Sequence, residues 1–261
     1  MTAAVGVVRS LDIGRVASGT FAAIGRNPVV FGVLGLIFAG APRFGLQWEI
    51  LQAQQGATGV LQYAGLIGLL LLVATFLLQG ALTYATVADL NGRRPSIGEC
   101  LSNGLRSFLP LIGLSILMGI ALLFGFLLLI VPGVLMALAW SVAVPSLVVE
   151  RKGVFGAFQR SADLTRGHRG SILLIAVVFW VLSIVIGVVL GVIVAAAVGL
   201  GHLSAGADGL PGVLRMTTAV TQALASALEG IVGSAGIATI YYELRSMKEG
   251  AAPQDLAAVF D

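Results

Sequence analysis

Charge is scarce in this chain: of 261 residues, 10% are charged and 58% hydrophobic, and the mean hydropathy is +1.02. A soluble domain carries about 25% charged residues, so a water-borne globule is excluded, and apolar character from end to end predicts one membrane domain over 1–261. The net charge of +3, with no basic stretch interleaved with aromatics, excludes a nucleic-acid surface, and the lone Cys100 excludes an internal disulfide.

The first 25 residues hold no continuous apolar run, so no cleaved signal peptide is expected. Leu11, Ile13, Val16, Phe21 and Ile24 recur near helical spacing, with Arg9, Arg15 and Arg26 on the polar side. That pattern predicts an amphipathic helix in the membrane interface, with Ser10 as its N-cap. Asn27-Pro28 restarts a helix with proline at its favoured first position. Pro28–Arg43 is a short first span, where Arg43 would snorkel and Trp48 would anchor the far interface. The polar stretch Gln47–Thr58 reads as an outer loop or a helical extension. Span two lies within Gly59–Ala88. Pro95-Ser96 then opens a second amphipathic segment, with Ile97, Leu101, Leu105 and Phe108 on one face.

Ser107–Val149 is 43 residues without a charged side chain. As one helix it would be about 65 Å long, roughly twice the thickness of a hydrocarbon core of about 30 Å. It therefore reads as an antiparallel hairpin of spans three and four. Val131-Pro132-Gly133 is the strong breaker near its middle and is expected to form the turn. Arg151–Arg169 is a third amphipathic stretch, apolar at Val154, Phe155, Phe158 and Leu164 and polar at Arg160, Asp163, Arg166, His168 and Arg169. Gly170–Leu200 is span five, and Gly201–Pro211 reads as a loop-like link. Span six falls within Val213–Tyr242, and Gly250–Asp261 is a short cytoplasmic tail.

The fold class is thus all-α and polytopic, with six transmembrane helices and interfacial amphipathic helices. An amphipathic segment followed by two spans recurs three times, in candidate repeat units 10–95, 96–152 and 153–249. Each unit crosses twice, so all three share one orientation, unlike inverted repeats. Of the 15 Lys and Arg, only Arg43 and Arg215 fall on the side of the 45–58 and 201–212 loops. Basic residues stay cytoplasmic, so both termini are expected there.

The run from Val144-Pro145 through Glu150-Arg151-Lys152-Gly153 and Arg160-Ser161 to Leu164-Thr165-Arg166-Gly167-His168-Arg169 resembles a pattern in bacterial membrane proteins. These are the proteins grouped with the membrane domain of glycerophosphoryl diester phosphodiesterases. Ala88–Arg94 and Tyr242–Gly250 are similar to the same group. The resemblance implies a multi-pass protein of the bacterial cytoplasmic (inner) membrane. Enzymes of that group do their chemistry in a separate soluble barrel domain, which is not expected in this chain. The resemblance therefore carries over no catalytic residue.

Catalytic constellations are nearly absent. His168 and His202 fall on opposite sides of the expected membrane, and Cys100 has no neighbouring His or second Cys. No catalytic, metal or cofactor site is expected. Two other sites stand out. Arg151, Lys152, Arg160, Arg166, His168 and Arg169 form a candidate lipid-headgroup patch, at about 1 kcal/mol per basic residue near an anionic surface. Positive-inside placement alone also accounts for them. Gln222, Ser226 and Glu229 share a face of span six with Gly233 and Gly236. Gln79 stands on a polar stripe of span two, at a depth within about 6 Å of Glu229, so Gln79, Gln222, Ser226 and Glu229 form a candidate intramembrane polar site. Gly187-x-x-x-Gly191 in span five is expected to pack against another span of the same chain.

The leading functional expectation is a non-enzymatic scaffold or lipid-associated accessory factor. The alternatives are a transporter or channel for a small or amphipathic substrate, and an intramembrane enzyme of lipid metabolism. Expected partners are membrane lipids and a protein partner or second copy, not nucleic acid. A solvated central cavity would favour transport, and a lateral hydrophobic groove would favour lipid or partner handling.

Overall fold

A computed structural model describes residues 11–53, 60–204 and 206–250, and all regular structure among them is helical. The helices are α1 (Ile13–Arg26), α2 (Pro28–Gly35), α3 (Ala41–Ala53), α4 (Val60–Leu90), α5 (Ile97–Leu128), α6 (Ile130–Ala139), α7 (Ala143–Glu150), α8 (Gly153–Thr165), α9 (Arg169–Ser204) and α10 (Gly206–Glu249). Six stretches are long and apolar enough to cross a membrane: Pro28–Ile50, Gly65–Leu90, Ile97–Leu128, Ile130–Glu150, Arg169–Ala196 and Met216–Glu249.

The N-cap of α1 is Asp12, whose carboxylate accepts from the Gly14 backbone N–H at 2.8 Å. Ser10, the expected cap, lies outside the described residues. Val16, Thr20 and Ala23 form one stripe of α1 and are fully buried. The helix packs this stripe on the bundle, chiefly on α10, and leaves Phe21 exposed.

Span one is longer than the sequence pattern predicts. Pro42 lacks the N–H that an α-helix would use, and just before it the helix widens into a π-turn at Leu36–Gly40, closed by Ala41 N–H on the Leu36 carbonyl. The helix then continues as α3 to Ala53. Of the two readings for Gln47–Thr58, helical extension holds through Ala53, and 54–59 lie outside the described residues.

The second amphipathic segment is not a separate element. Ser96 and Glu99 form a reciprocal cap, and α5 runs from there for 32 residues without a break. Its buried face is Cys100, Gly104, Ser107, Leu111 and Leu114, whereas Leu105 is exposed. Gly104 selects that face: a Cβ there would stand 2.9 Å from the Leu77 carbonyl oxygen of α4. Lipid tails are as apolar as leucine, so close backbone approach is a main source of attraction between spans.

Two expected breaks are displaced. The hairpin turns at Leu129, which is extended (φ −165°, ψ 149°), not at Val131-Pro132-Gly133. Pro132 sits in the first turn of α6, where its missing donor costs nothing. Gly133 is instead a packing residue, for a Cβ there would lie 2.5 Å from the Phe126 ring. The link expected at Gly201–Pro211 is largely helical, with α9 reaching Ser204 and α10 starting at Gly206. A glycine costs a helix only about 1 kcal/mol, and a helix satisfies its own backbone.

A third break was not expected. The returning arm of the hairpin is interrupted at Trp140-Ser141-Val142, between α6 and α7. Its freed backbone groups are met by α8. The Ala139 carbonyl accepts from Ser161 Oγ at 2.8 Å and from Thr165 Oγ1 at 3.2 Å. The Val142 N–H donates to Ser161 Oγ at 3.2 Å. Ala157, Ser161, Leu164 and Thr165 are fully buried, so this face of α8 is part of the core.

Burial concentrates near the end of the bundle that carries Asp89, Glu150 and Glu249. Tyr241, Leu164, Ile172, Ile175, Val142 and Leu244 pack together there. Farther along, the helices present apolar side chains outward. Within 173–193 of α9, residues such as Trp180, Val188 and Ile193 are exposed, and a Cβ on Gly187 or Gly191 would meet nothing within 4 Å. Among the described residues, the intramolecular packing expected of that glycine pair is therefore not made.

Ser161→Ala should cost about 1–3 kcal/mol, because a buried carbonyl and N–H lose their partner. Ser102→Ala, on an exposed turn, should stay within about 0.5 kcal/mol of wild type. Reversible unfolding in mixed micelles measures both.

Candidate functional site

A half-open pocket of about 400 Å³ lies between α4, α5, the break in span four and α10. Each wall follows from helical periodicity. Thr75, Gln79 and Thr83 of α4 recur every four residues, as do Glu229 and Gly233 of α10. Ser115 of α5 and Ser141 of the break complete the polar lining, with Ser234 beside Gly233. Leu78, Met118, Trp140 and Val144 are the apolar walls. The break in span four thus borders the pocket directly.

Hydrogen bonding divides the polar lining. Thr75 donates to the Leu71 carbonyl at 2.7 Å and Ser141 to the Leu138 carbonyl at 2.9 Å. Among the described residues, the side chains of Gln79, Thr83, Ser115, Glu229 and Ser234 have no such partner. Thr83 is 1% exposed, yet it does not return its hydroxyl to its own helix as Thr86 and Thr239 do. Glu229 is exposed, so the pocket is open where its carboxylate stands.

Gln79 and Glu229 therefore line one pocket. Gln222 and Ser226 do not line it. Gln222 precedes Glu229 by seven residues, which is about 10 Å along the helix and beyond the pocket. The sequence reading did not single out Ser115, Trp140, Ser141 and Ser234 as site residues. Serines in apolar runs look like packing residues, and the break that brings in Trp140 and Ser141 has no proline or glycine inside it.

At the charged end, two carboxylates that end spans are buried and paired. Asp89, 7% exposed, accepts from Arg26 Nε at 3.1 Å and from Asn27 Nδ2 at 2.6 Å. The Asp89 contact raises the Arg26 pKa above its ordinary value. Glu150 accepts from Arg160 Nε at 2.7 Å, Lys152 Nζ at 2.9 Å and the Tyr241 hydroxyl at 2.8 Å. Arg160 also pairs with Glu249.

The six basic residues of the headgroup patch are accordingly divided. Arg160 and Lys152 are engaged by Glu150. Arg151 donates to the Asn103 side chain at 2.9 Å. Arg166 is exposed, His168 and Arg169 are half-buried, and Arg169 Nε is buried without a hydrogen-bond acceptor. Among the described residues, no group of three or more His, Cys, Asp or Glu could hold a metal ion.

The molecule is thus an all-helical protein with six helices of membrane-crossing length and a polar pocket among them. Residues 105–244, more than half of the chain, match the family described as Domain of unknown function (DUF7847), and the chain belongs to that family. The matched region holds the hairpin, the break, α8 and α9, and the Glu229 face of α10. No curated protein and no solved structure matches the chain.

Two glycines of the pocket should respond oppositely to substitution. A Cβ on Gly230 would stand 2.9 Å from Leu78 Cδ2, whereas a Cβ on Gly233 would meet nothing within 4 Å. Gly230→Leu should destabilise the fold by about 1–3 kcal/mol through overpacking, and Gly233→Leu should leave the unfolding midpoint nearly unchanged.

Proposed function

We propose that this chain is a non-enzymatic protein of the bacterial cytoplasmic membrane that acts as a lipid-associated accessory factor. One observation carries the reading: a laterally open, mainly apolar groove of about 710 Å³ between α3 and α4. Its walls include Ile37, Phe44, Gly45, Trp48, Leu66 and Leu70. Phe44 and Trp48 stack at 6.1 Å and 13°, giving it a rigid aromatic side. The volume is in the range of about 300–1,000 Å³ usual for small-molecule sites. In a six-span protein such a groove faces hydrocarbon, so an acyl chain reaches it without crossing water. Arg43 and Glu49 stand exposed near its edge, where a headgroup would lie.

The finer architecture belongs to the same proposal. Both termini are cytoplasmic, with α1 and α8 at the cytoplasmic interface, as the distribution of basic residues supports. Phe155, 78% exposed, would seat α8 in the interface while its opposite face holds the break. Arg166 and Arg169 remain as headgroup contacts, since Arg160 is engaged by two carboxylates. The threefold unit of amphipathic segment and two spans survives as a proposal with one change: its second amphipathic segment is the first part of α5. The resemblance of the 144–169 run to the membrane domain of glycerophosphoryl diester phosphodiesterases, if it reflects kinship, would fit a lipid-facing role.

A second reading, transport of a small or amphipathic substrate, is favoured by the interrupted span four beside the polar pocket. Discontinuous spans line binding sites in transporters.

Gly45 lines the groove and a Cβ there would meet nothing within 4 Å, so Gly45→Trp fills it without displacing its neighbours. Lipid retained through purification, measured by mass spectrometry, should fall severalfold in that variant. Unchanged retention sinks the lipid reading. Orientation has its own test in spheroplasts, where a cysteine at Gly212 should react with an impermeant maleimide and one at Gly92 should not. Cys100 is fully buried and gives little background.

A further inference from the structure

We propose that the pocket at Glu229 is a binding site for a hydrophobic amine, meaning an apolar chain that ends in a protonated amino group. This site is separate from the lipid groove and does not rest on it. The argument begins with placement. Glu229 is fourteen residues from Glu243 at the charged end, or about 21 Å along the helix, which puts its carboxylate within the hydrocarbon layer of a membrane-embedded bundle. A lone charge at such a depth is expensive unless it is paired. Elsewhere in the described structure, the carboxylates that end spans have cations beside them: Asp89 has Arg26, and Glu150 has Arg160 and Lys152. Glu229 has no ion-pair partner among the described residues, and no Lys or Arg lines its pocket.

The rest of the lining specifies the guest. Gln79, Thr83, Ser115 and Ser234 offer oxygen acceptors whose side chains are unbonded within the protein. Thr83 is 1% exposed, lines the pocket and does not return its hydroxyl to its own helix. An ammonium group has three donors and no acceptor, so it satisfies a carboxylate and two such oxygens at once. Trp140 lines the same pocket and is held from another side by Phe158 at 4.8 Å. An indole face attracts a cation, most strongly where water is excluded. Leu78, Met118, Val144 and Ile237 supply the apolar wall for the chain. A zwitterionic phospholipid fits less well, because no cation of the pocket would balance its phosphate. An anionic lipid would meet Glu229 as a like charge.

The pocket's openness gives the guest a route. The lining is half-open, and Gly233 leaves space where any side chain would fill it. The amine can therefore enter from the membrane with its chain trailing outward.

The test uses the full chain in phosphatidylcholine nanodiscs at neutral pH, with empty nanodiscs subtracted for simple partitioning. The probes are dodecylamine and its uncharged counterpart dodecanol. Wild type should bind dodecylamine saturably and at least about tenfold more tightly than dodecanol, as expected for a desolvated ion pair with an aromatic wall. Glu229→Gln keeps the shape and hydrogen-bonding capacity, and should erase that preference while leaving dodecanol unchanged. Gly233→Leu should abolish saturable binding of both. Equal binding of the two probes by wild type, or undiminished amine binding in Glu229→Gln, overturns the proposal. Should Gly233→Leu fail to fold, the Glu229→Gln comparison decides alone. Gly45→Trp should leave amine binding intact, so failure of the lipid groove and failure of the amine site are read separately.

Discussion

Hydrocarbon cannot hydrogen-bond, so a span that breaks must find its partners inside the protein. That constraint governs the middle of this fold. Span four is interrupted at Trp140-Ser141-Val142, and the freed Ala139 carbonyl and Val142 N–H are taken up by Ser161 and Thr165. Because both hydroxyls belong to α8, that short helix is held against the bundle from beneath. Its sequence looks like that of a surface helix, yet one face is as buried as any span. From that anchoring the rest follows: Arg160, one residue before Ser161, is positioned to meet Glu150 at the end of the same broken span.

The charged end repeats this arrangement with ions in place of hydroxyls. Asp89 ends span two and holds the junction of α1 and α2 through Arg26 and Asn27. Glu150 ends span four and holds α8 and α10 through Arg160 and Tyr241. A buried ion pair gives little net stability over an apolar substitute, but removal of one partner strands the other charge at a cost of several kcal/mol. Their contribution is to fix which short helix docks at which span end. Dispersion and close glycine contacts, such as Gly104 on Leu77, supply the attraction between spans.

How much was legible in the sequence follows from the range of the forces. Apolar runs bounded by charge are local and self-sufficient, and six helices of crossing length were read from them. The polar face of α10 was also legible, since Glu229 and Gly233 recur at helical spacing, and so was the common depth of Gln79 and Glu229, which line one pocket without bonding each other. Non-local causes were not. Pro132 looked like a turn because its missing donor is local information, while the space for Gly133 is set by Phe126 on the facing arm. The break at Trp140 could not be read, because what permits it is a pair of hydroxyls some twenty residues downstream. Burial of Asp89 and Glu150 could not be read either, because it depends on which cation folds over each of them. Gly187 and Gly191 looked like a packing motif, yet a Cβ on either would meet nothing within 4 Å among the described residues.

The same limit explains why a glycine in span six says nothing about its role until the neighbours are in place. Gly230 and Gly233 are one turn apart on the same helix. The first admits Leu78 of α4 and closes the bundle, and the second faces empty space. Between them they set the pocket's boundary: contact on one side, vacancy on the other. The vacancy is not apolar. A carboxylate, an amide and three hydroxyls line it without a hydrogen-bond partner among the described residues. A purely structural stripe would have spent those groups on its own backbone, as Thr86 and Thr239 do with Leu82 and Ala235. Within the described structure these groups have no partner, so a polar group that enters the pocket is what can satisfy them.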